Sequence, residues 1–294
     1  MFKSGFITVI GRPNVGKSTL LNQLIGEKIS IISDKPQTTR NKIHLVLTNE
    51  NMQCVFIDTP GIQMPKNKLG DYMLSASQST LEDVDVITFM VDVSDEIGRL
   101  DNYILDALRK VDTPIILLIN KIDELENQDA SDLVKKYEEL NMFVKIIPIS
   151  AREDVNLQEY LDTIYENLEE GPMYYPDDMI TDQPERNIIA EIIREKALNN
   201  LFEEIPHGIA VEIMKIEKRE NKDIVDIDVT MYVEQNSHKG MVIGKGGQML
   251  KTIGSQARVD IQRLLDTKIN LKIWIKVAKD WRKKDQRLKN FGYN

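Results

Sequence analysis

Gly11, Arg12, Pro13, Asn14, Val15, Gly16, Lys17 and Ser18 spell G-x-x-x-x-G-K-S, and Thr19 follows. The run comes directly after the apolar stretch "FITVI" and opens a helical pattern, the context this spacing requires. Backbone N–H groups of such a loop converge on phosphate, and the helix N-terminus adds the positive end of its dipole. Lys17 is placed to bridge β- and γ-phosphate oxygens, and Ser18 to ligate Mg²⁺. The loop specifies a nucleoside triphosphate without naming its base.

The base is read from "NKID", Asn120, Lys121, Ile122 and Asp123, at the end of the apolar run "PIILLIN". A carboxylate there accepts from guanine N1–H and the exocyclic amine, whereas adenine would confront Asp123 with a lone pair. Lys121 lays its stem over the base, and Asn120 ties this loop to the phosphate loop. "DTPG" (Asp58, Thr59, Pro60, Gly61) ends another buried run: Asp58 is expected to hold a Mg²⁺ ligand water, and Gly61 to offer its N–H to the γ-phosphate. In "QTTRN" at 37–41, Thr39 is the expected Mg²⁺ and γ-phosphate contact, with Thr38 the alternative. "SAR" (Ser150, Ala151, Arg152) would bring the Ala151 N–H near the guanine oxygen. Lys17, Thr39 and Gly61 are the candidate catalytic groups; Ser18, Thr39 and Asp58 the candidate metal ligands. These four spacings in one order resemble the translation-factor-like GTPases, which implies hydrolysis of GTP to GDP and two switching loops, 33–41 and 61–70.

A second glycine loop, Gly244-Lys245-Gly246-Gly247, lacks the six-residue spacing and the K-S/T of the first. Its G-x-x-G form lets a polymer backbone approach closely, with Lys245 facing phosphates and "MVI" and "LKTI" as apolar walls for unpaired bases. Lys239, Lys251, Arg258 and Arg263 are candidates for its rim.

The elements that must hold these loops follow from periodicity. Residues 6–10, 54–58, 86–93, 114–120 and 144–150 read as buried strands, and 17–26, 71–82, 101–110, 130–140 and 156–168 as helices. Strand alternating with helix predicts a doubly wound, mostly parallel α/β domain over 1–170. "KIHLVLTNENMQCVFIDT" reads as an antiparallel hairpin. Gly171, Pro172 and Pro176 mark a linker, 171–183. Asp182 and Pro184 read as a helix start, and two strands joined by a turn at Asn221 come next. A helix over 248–265 and a strand over 270–278 complete α-β-β-α-α-β across 184–294, the α+β order of a type II KH domain.

Charge separates the halves. Residues 239–294 carry 14 Lys+Arg and 4 Asp+Glu, a net of +10, while the rest carry 24 against 43, a net of −19. A basic module on an acidic body suits a polyphosphate partner. Trp281, Phe291 and Tyr293 among the terminal lysines either stack on bases or fold back onto their own domain. The chain shows no signal sequence and no apolar run near the ~20 residues needed to span a bilayer. Its single cysteine, Cys54, sits in "CVFID" as a core thiol. A cytosolic chain is expected.

"GFITVIGRPNVGKSTLLNQLIGEKISIIS", "QTTRNKI", "DTPG", "NKID", "IREK", "HKGMVIGKGGQMLKTIG" and "WIKVAKDW" resemble, over nearly the whole chain, the bacterial ribosome-assembly GTPases of the TrmE-Era-EngA-like family that carry a C-terminal KH domain. The resemblance implies GTP-dependent binding to the 3′ end of 16S ribosomal RNA, a role in maturing the 30S subunit, a monomer, and peripheral contact with the cytoplasmic membrane. Ras-like GTPases orient the attacking water with a glutamine where Ile62 stands here, and Gln63 lies one residue late. Related enzymes with Asn at the position of Asn14 bind K⁺. The alternatives are a GTPase whose C-terminal domain docks a protein or membrane, and a small-molecule kinase.

Overall fold

The computed structural model describes residues 1–33, 35, 38–93, 97–126, 129–220 and 222–293. Asp34, Pro36 and Gln37 of the expected switching loop, and Asn221 of the expected turn, lie outside the described residues. Two compact units form: Met1–Ser30, Thr39–Pro65 and Gly70–Asp182 in the first, Ile31–Thr38, Lys66–Leu69 and Gln183–Asn294 in the second.

The first unit is a six-stranded sheet of β1 (Lys3–Gly11), β2 (Ile43–Thr48), β3 (Met52–Asp58), β4 (Val86–Asp92), β5 (Ile115–Asn120) and β6 (Lys145–Pro148), in the order β2-β3-β1-β4-β5-β6. Only the hairpin pair β2/β3 is antiparallel; the other pairs run parallel. Helices α1 (Lys17–Ile25), α2 (Lys68–Gln78), α3 (Arg99–Leu108), α4 (Ser131–Glu138) and α5 (Leu157–Asn167) supply the crossovers. Strands β3 and β5 are buried at every residue, which explains why their sequences are mostly apolar between a few hydrogen-bonded polar groups: helices cover both faces of a parallel sheet. Ile87, Phe89, Val91, Leu117 and Ile119 form the core with Ile104, Leu105 and Leu108 of α3.

Helix α2 starts three residues before the expected 71 and takes in Gly70. A Cβ on Gly70 would stand 3.1 Å from Pro65 Cα, so packing there favours the poor helix former. Cys54 is buried beside Met52, and burial pushes its thiol up to about 12, consistent with a core role.

The linker residues through Asp182 lie along β2, an edge strand. Val46 N–H donates to Ile180 O (2.9 Å), Thr181 Oγ1 donates to His44 O (2.7 Å), and Gln53 is bonded to Tyr174 and Tyr175. The helix start therefore differs from expectation. Pro184 is the N-cap, whereas Asp182 pairs with His44 at 2.7 Å.

The second unit orders α6 (Glu185–Asn200), β7 (Ala210–Lys218), β8 (Ile224–Val233), α7 (Asn236–Ile243), α8 (Gln248–Leu264) and β9 (Lys268–Val277), then a short α9 (Asp285–Asn290). The sheet runs β7-β8-β9, with β7/β8 antiparallel and β8/β9 parallel. Strand alternation gives it two unlike faces. Ile227, Val229, Met231 and Val233 join Ile269, Leu271 and Ile275 on the buried face. The other face carries Asp226, Asp228, Thr230 and Tyr232, paired across from Asn270, Lys272, Trp274 and Lys276.

Candidate functional site

Four sequence motifs arrive at one edge of the first sheet because each follows the carboxyl end of a parallel strand: β1, β3, β5 and β6. β1 lies between β3 and β4, so the chain switches sides there, the usual place for a ligand crevice in an open α/β sheet.

The phosphate loop is built on left-handed backbone: Asn14 has φ +67 and Gly16 φ +108. A Cβ on Gly16 would fall 2.1 Å from Asn120 Nδ2, so glycine is required sterically as well as conformationally. Lys17 is buried, and its ammonium donates to Gly11 O (3.2 Å) and Arg12 O (2.9 Å) across its own loop. Burial lowers its pKa to about 8, partly opposed by the Asp58 charge.

Ser18 Oγ donates to Asp58 Oδ2 at 3.0 Å, and Thr39 Oγ1 lies 3.1 Å from Ser18 Oγ and 3.4 Å from Asp58 Oδ2. Asp58 is fully buried, and desolvation raises its pKa against the pull of Lys17 and the hydroxyls. Among the described residues its Oδ1 has no hydrogen-bond partner. A buried orphan carboxylate oxygen beside two hydroxyls is a donor set for a hard divalent cation. Thr38 points elsewhere: its hydroxyl donates to Lys35 O at 2.6 Å.

"DTPG" is laced to the phosphate loop. Ile62 N–H donates to Gly11 O (3.0 Å), Thr59 Oγ1 donates to Val9 O (2.8 Å), and a Cβ on Gly61 would meet Pro13 Cα at 2.8 Å. Ser77 Oγ holds Pro60 O at 2.7 Å. The Ile62 side chain is only 3% exposed and belongs to the core. The Gln63 amide nitrogen is buried without a hydrogen-bond partner among the described residues.

At the base-reading end, Asn120 is a hub. Its Nδ2 donates to Val15 O (2.8 Å), and its Oδ1 accepts from Ala151 N–H (2.9 Å). The first bond matches the expected tie to the phosphate loop. The second changes the expectation for Ala151, whose N–H is engaged by Asn120 rather than directed at a guanine oxygen. Asp123 Oδ1 accepts from Ser150 Oγ at 2.6 Å, and Oδ2 is ion-paired to Arg152. Ile122 is buried and its N–H donates to Ile149 O (3.2 Å), which fixes the turn. Lys121, at φ +70, brings Nζ to 4.0 Å from Asp92. Thr19 is half-buried on α1.

Sequence reasoning missed Asp92 and Asp101. The Arg12 guanidinium pairs with both at 2.9 Å, so that side chain faces β4 and α3, and only its backbone remains for phosphate. An acid ending a buried strand, as Asp92 ends β4, was the available signal.

In the second unit the glycine loop joins α7 to α8. Gly244 has φ +73, and a Cβ there would press on Met249 Cβ at 2.7 Å. Gly246 (φ +61) and Gly247 (φ +81) have no atom within 4 Å of a built Cβ, so their surfaces face open space. Lys245, Lys251 and Arg258 are exposed, and Lys239 is half-buried. Lys251 and Arg258 are seven residues apart on one face of α8; Arg263 is turned about 120° from Lys251 and lies 4.0 Å from Asp260. The terminal aromatics fold back. Trp281 is fully buried with Nε1 donating to Gly208 O (2.9 Å), and it packs on Phe291 and Tyr293 at 5.2 and 5.8 Å.

A phosphate loop tied to the "NKID" turn on a doubly wound sheet, followed by a GxxG loop in α-β-β-α-α-β order, defines a P-loop GTPase with a C-terminal KH domain. The family model described as 50S ribosome-binding GTPase matches residues 6–121, and the KH domain model matches 204–282. GTPase Era of Clostridioides difficile (strain 630) is 55% identical over 295 residues, covering 100% of this chain and 99% of that one. GTPase Era of Alkaliphilus metalliredigens (strain QYMF) is 54% identical over 292 residues, covering 99% of each. Two solved structures superpose with a TM-score of 0.95 at 39% identity: Era with MgGDPNP and nucleotides 1506–1542 of 16S ribosomal RNA (100% of this chain, 99% of that one), and a variant of Aquifex aeolicus Era bound to GDP·AlF4⁻ (99% of each). The chain belongs to the Era family and is a GTPase.

Lys17 gives this pocket a pH signature. In the free protein its ammonium deprotonates near pH 8 because it is buried. A bound triphosphate favours the charged form, so above that pH binding must take up a proton. Affinity for GTP is expected to fall up to about tenfold per pH unit between roughly 8.5 and 9.5. Calorimetry in buffers of different ionisation enthalpy measures this; pH-independent binding with no proton uptake would contradict it.

Proposed function

We propose that this chain is a GTP-driven switch that binds small-subunit ribosomal RNA near its 3′ end and assists maturation of the 30S subunit. The observation that carries this reading is the pairing, in one chain, of the Asn120–Asp123 base site with an open GxxG loop on a basic module. A relative 39% identical was crystallised with MgGDPNP and nucleotides 1506–1542 of 16S ribosomal RNA. Boundaries of 1–170, 171–183 and 184–294 fit this division of labour, in a monomeric cytoplasmic protein. No helix among the described residues is long and apolar enough to cross a membrane.

Backbone N–H groups of 11–18 hold the phosphates, and Lys17 and the Gly61 N–H stabilise charge on the γ-phosphoryl oxygens. Ser18, Thr39 and Asp58 would hold Mg²⁺, which would supply neutralisation of the triphosphate. Asp123 reads guanine while Asn120 fixes the distance between base loop and phosphate loop. Ile62 is locked in the core and cannot orient water, so intrinsic hydrolysis is slow. Asn14, exposed at the mouth of the loop, is the candidate K⁺ ligand. Turnover in KCl is expected to exceed that in NaCl several-fold, and Asn14→Ala should erase the difference. Equal rates in the two salts would remove K⁺ from the mechanism.

The RNA clamp is tested with Gly246→Asp. The added side chain meets open space, and aspartate is among the residues that tolerate the left-handed φ of +61 at this position at modest cost, while its charge stands where phosphate would lie; an unchanged melting temperature checks the fold. Affinity for single-stranded ribosomal RNA in a GTP analogue is expected to drop about tenfold or more. Equal binding by wild type and variant in a filter assay would move the partner of this domain to protein or membrane. Nucleotides 1506–1542 in the relative's complex form a stretch far longer than the roughly four nucleotides a GxxG loop clamps.

A further inference from the structure

The second unit holds two tryptophans in opposite situations. Trp281 is fully buried with its N–H satisfied. Trp274, in the middle of β9, is 47% exposed and has neither a ring partner nor a hydrogen bond among the described residues. It stands on the sheet face opposite the buried one, and α7, the glycine loop and α8 connect strands whose apolar residues occupy that buried face. Lys272 and Lys276 flank Trp274 at two residues on either side, and Lys268 lies further along the same face. All three lysines are exposed, and none makes an ion pair among the described residues. Side chains on one face of a strand recur every ~6.7 Å, close to the nucleotide repeat of an extended single strand. β9 is also an edge strand, so the row borders solvent along its length.

An indole with both faces of its neighbourhood lined by lysine is the composition of a base-stacking platform: the ring takes one base and the ammoniums take the adjacent phosphates. The acidic residues of this face do not cancel the row. Asp226 is held by the Arg219 guanidinium and the Asn270 amide (2.6 and 2.6 Å), which keep its carboxyl well below the usual range. Asp228 sits between Lys272 of β9 and Lys215 of β7. A protein partner would be expected to use a broader apolar patch than one indole amid lysines.

We propose that the Trp274–Lys272–Lys276 face of β9 is a second contact for single-stranded RNA, taking nucleotides that run beyond the GxxG loop. The proposal rests on the RNA-binding reading above. The test uses the full chain with Mg²⁺ and a non-hydrolysable GTP analogue, titrated with a five-nucleotide and a twenty-nucleotide single strand from the 3′ end of 16S ribosomal RNA. Trp274→Ala is expected to weaken the long strand about tenfold and to leave the short one within twofold, with Trp274→Phe recovering most of the loss. Lys272→Glu/Lys276→Glu should lower the salt dependence for the long strand only. Indole fluorescence should be quenched by the long strand in wild type and not in Trp274→Phe.

Gly246→Asp is the control that separates the two claims. If Gly246→Asp abolishes binding and Trp274→Ala changes neither strand, the β9 platform is wrong and the clamp stands. If neither variant changes binding, the RNA reading of the whole domain fails. If Trp274→Ala spares RNA and instead weakens a purified ribosomal protein, the face is a protein contact and the proposal is overturned.

Discussion

Asp123→Asn is expected to weaken GTP binding by about 10²–10⁴-fold and to make XTP the preferred nucleotide. The geometry dictates the direction. Ser150 Oγ donates to Asp123 Oδ1, which pins that oxygen, while Oδ2 is held by the exposed Arg152 guanidinium, which the donors of the base would displace. In asparagine the oxygen stays with Ser150, so the amide nitrogen takes the place of Oδ2. Guanine offers two donors on its reading edge, and one now meets a donor. Losing one charge-assisted hydrogen bond, leaving its buried donor against another donor and turning the second bond into a neutral one cost together about 3–5 kcal/mol, which gives the stated range. Xanthine carries a carbonyl where guanine has its amine, and the new N–H₂ matches it. Arg152 loses this ion partner as well, but its guanidinium is itself exposed and keeps Glu153, so that loss adds little. Competition of GTP and XTP against a fluorescent GDP measures the outcome; a retained preference for GTP would exclude Asp123 as the base reader.

Asn120→Ala should produce the second largest effect, and it should appear in phosphate and base binding together. The change strips the donor from Val15 O and the acceptor from Ala151 N–H, both buried. Each unpaired group costs about 1–3 kcal/mol, so a total near 2–4 kcal/mol follows. Guanosine nucleotide affinity should drop roughly 30- to 1,000-fold, and the melting temperature of the nucleotide-free protein should fall by about 5–10 °C. Asn120→Asp divides the two bonds, since a carboxylate still accepts from Ala151 yet repels Val15 O. It should be at least as damaging to the phosphate loop. GDP affinity within threefold of wild type for Asn120→Ala would show that the hub is dispensable.

Much of this was legible from spacing. The phosphate loop, "DTPG", "NKID" and "SAR" each follow a strand, and a parallel sheet carries all carboxyl ends to one edge, so order along the chain translated into proximity. Of the two adjacent threonines, Thr39 lies beside Ser18 and Asp58 while Thr38 bonds Lys35 O, a difference that spacing alone does not decide. What escaped notice was pairing between distant side chains. Nothing in "GRPNVGKS" announces that Arg12 turns toward Asp92 and Asp101, because neither acid is near it in sequence. The bond from Ala151 N–H to Asn120 Oδ1 is likewise invisible in "SAR", because the two residues are 31 apart in sequence. The aromatic residues show the same limit. Lysines surround Trp281 in sequence, which left stacking and folding back as alternatives, and the residue folds back into the core. Trp274 is the exposed one, and the alternation of β9 would have placed it on a face with Lys272 and Lys276.

The position of residues 171–182 along β2 has a bearing on biosynthesis. A ribosome extrudes Ile43–Thr48 more than a hundred residues before Ile180 and Thr181, which later occupy its outer margin through Val46 N–H and His44 O. Until those residues emerge, the nascent α/β layer presents an unguarded rim of amide groups to any passing extended peptide. A fragment cut at residue 170 would keep every nucleotide-binding motif and still carry that open rim. Such a fragment should therefore be the stickier protein, prone to self-association under conditions in which a fragment ending at 183 stays dispersed.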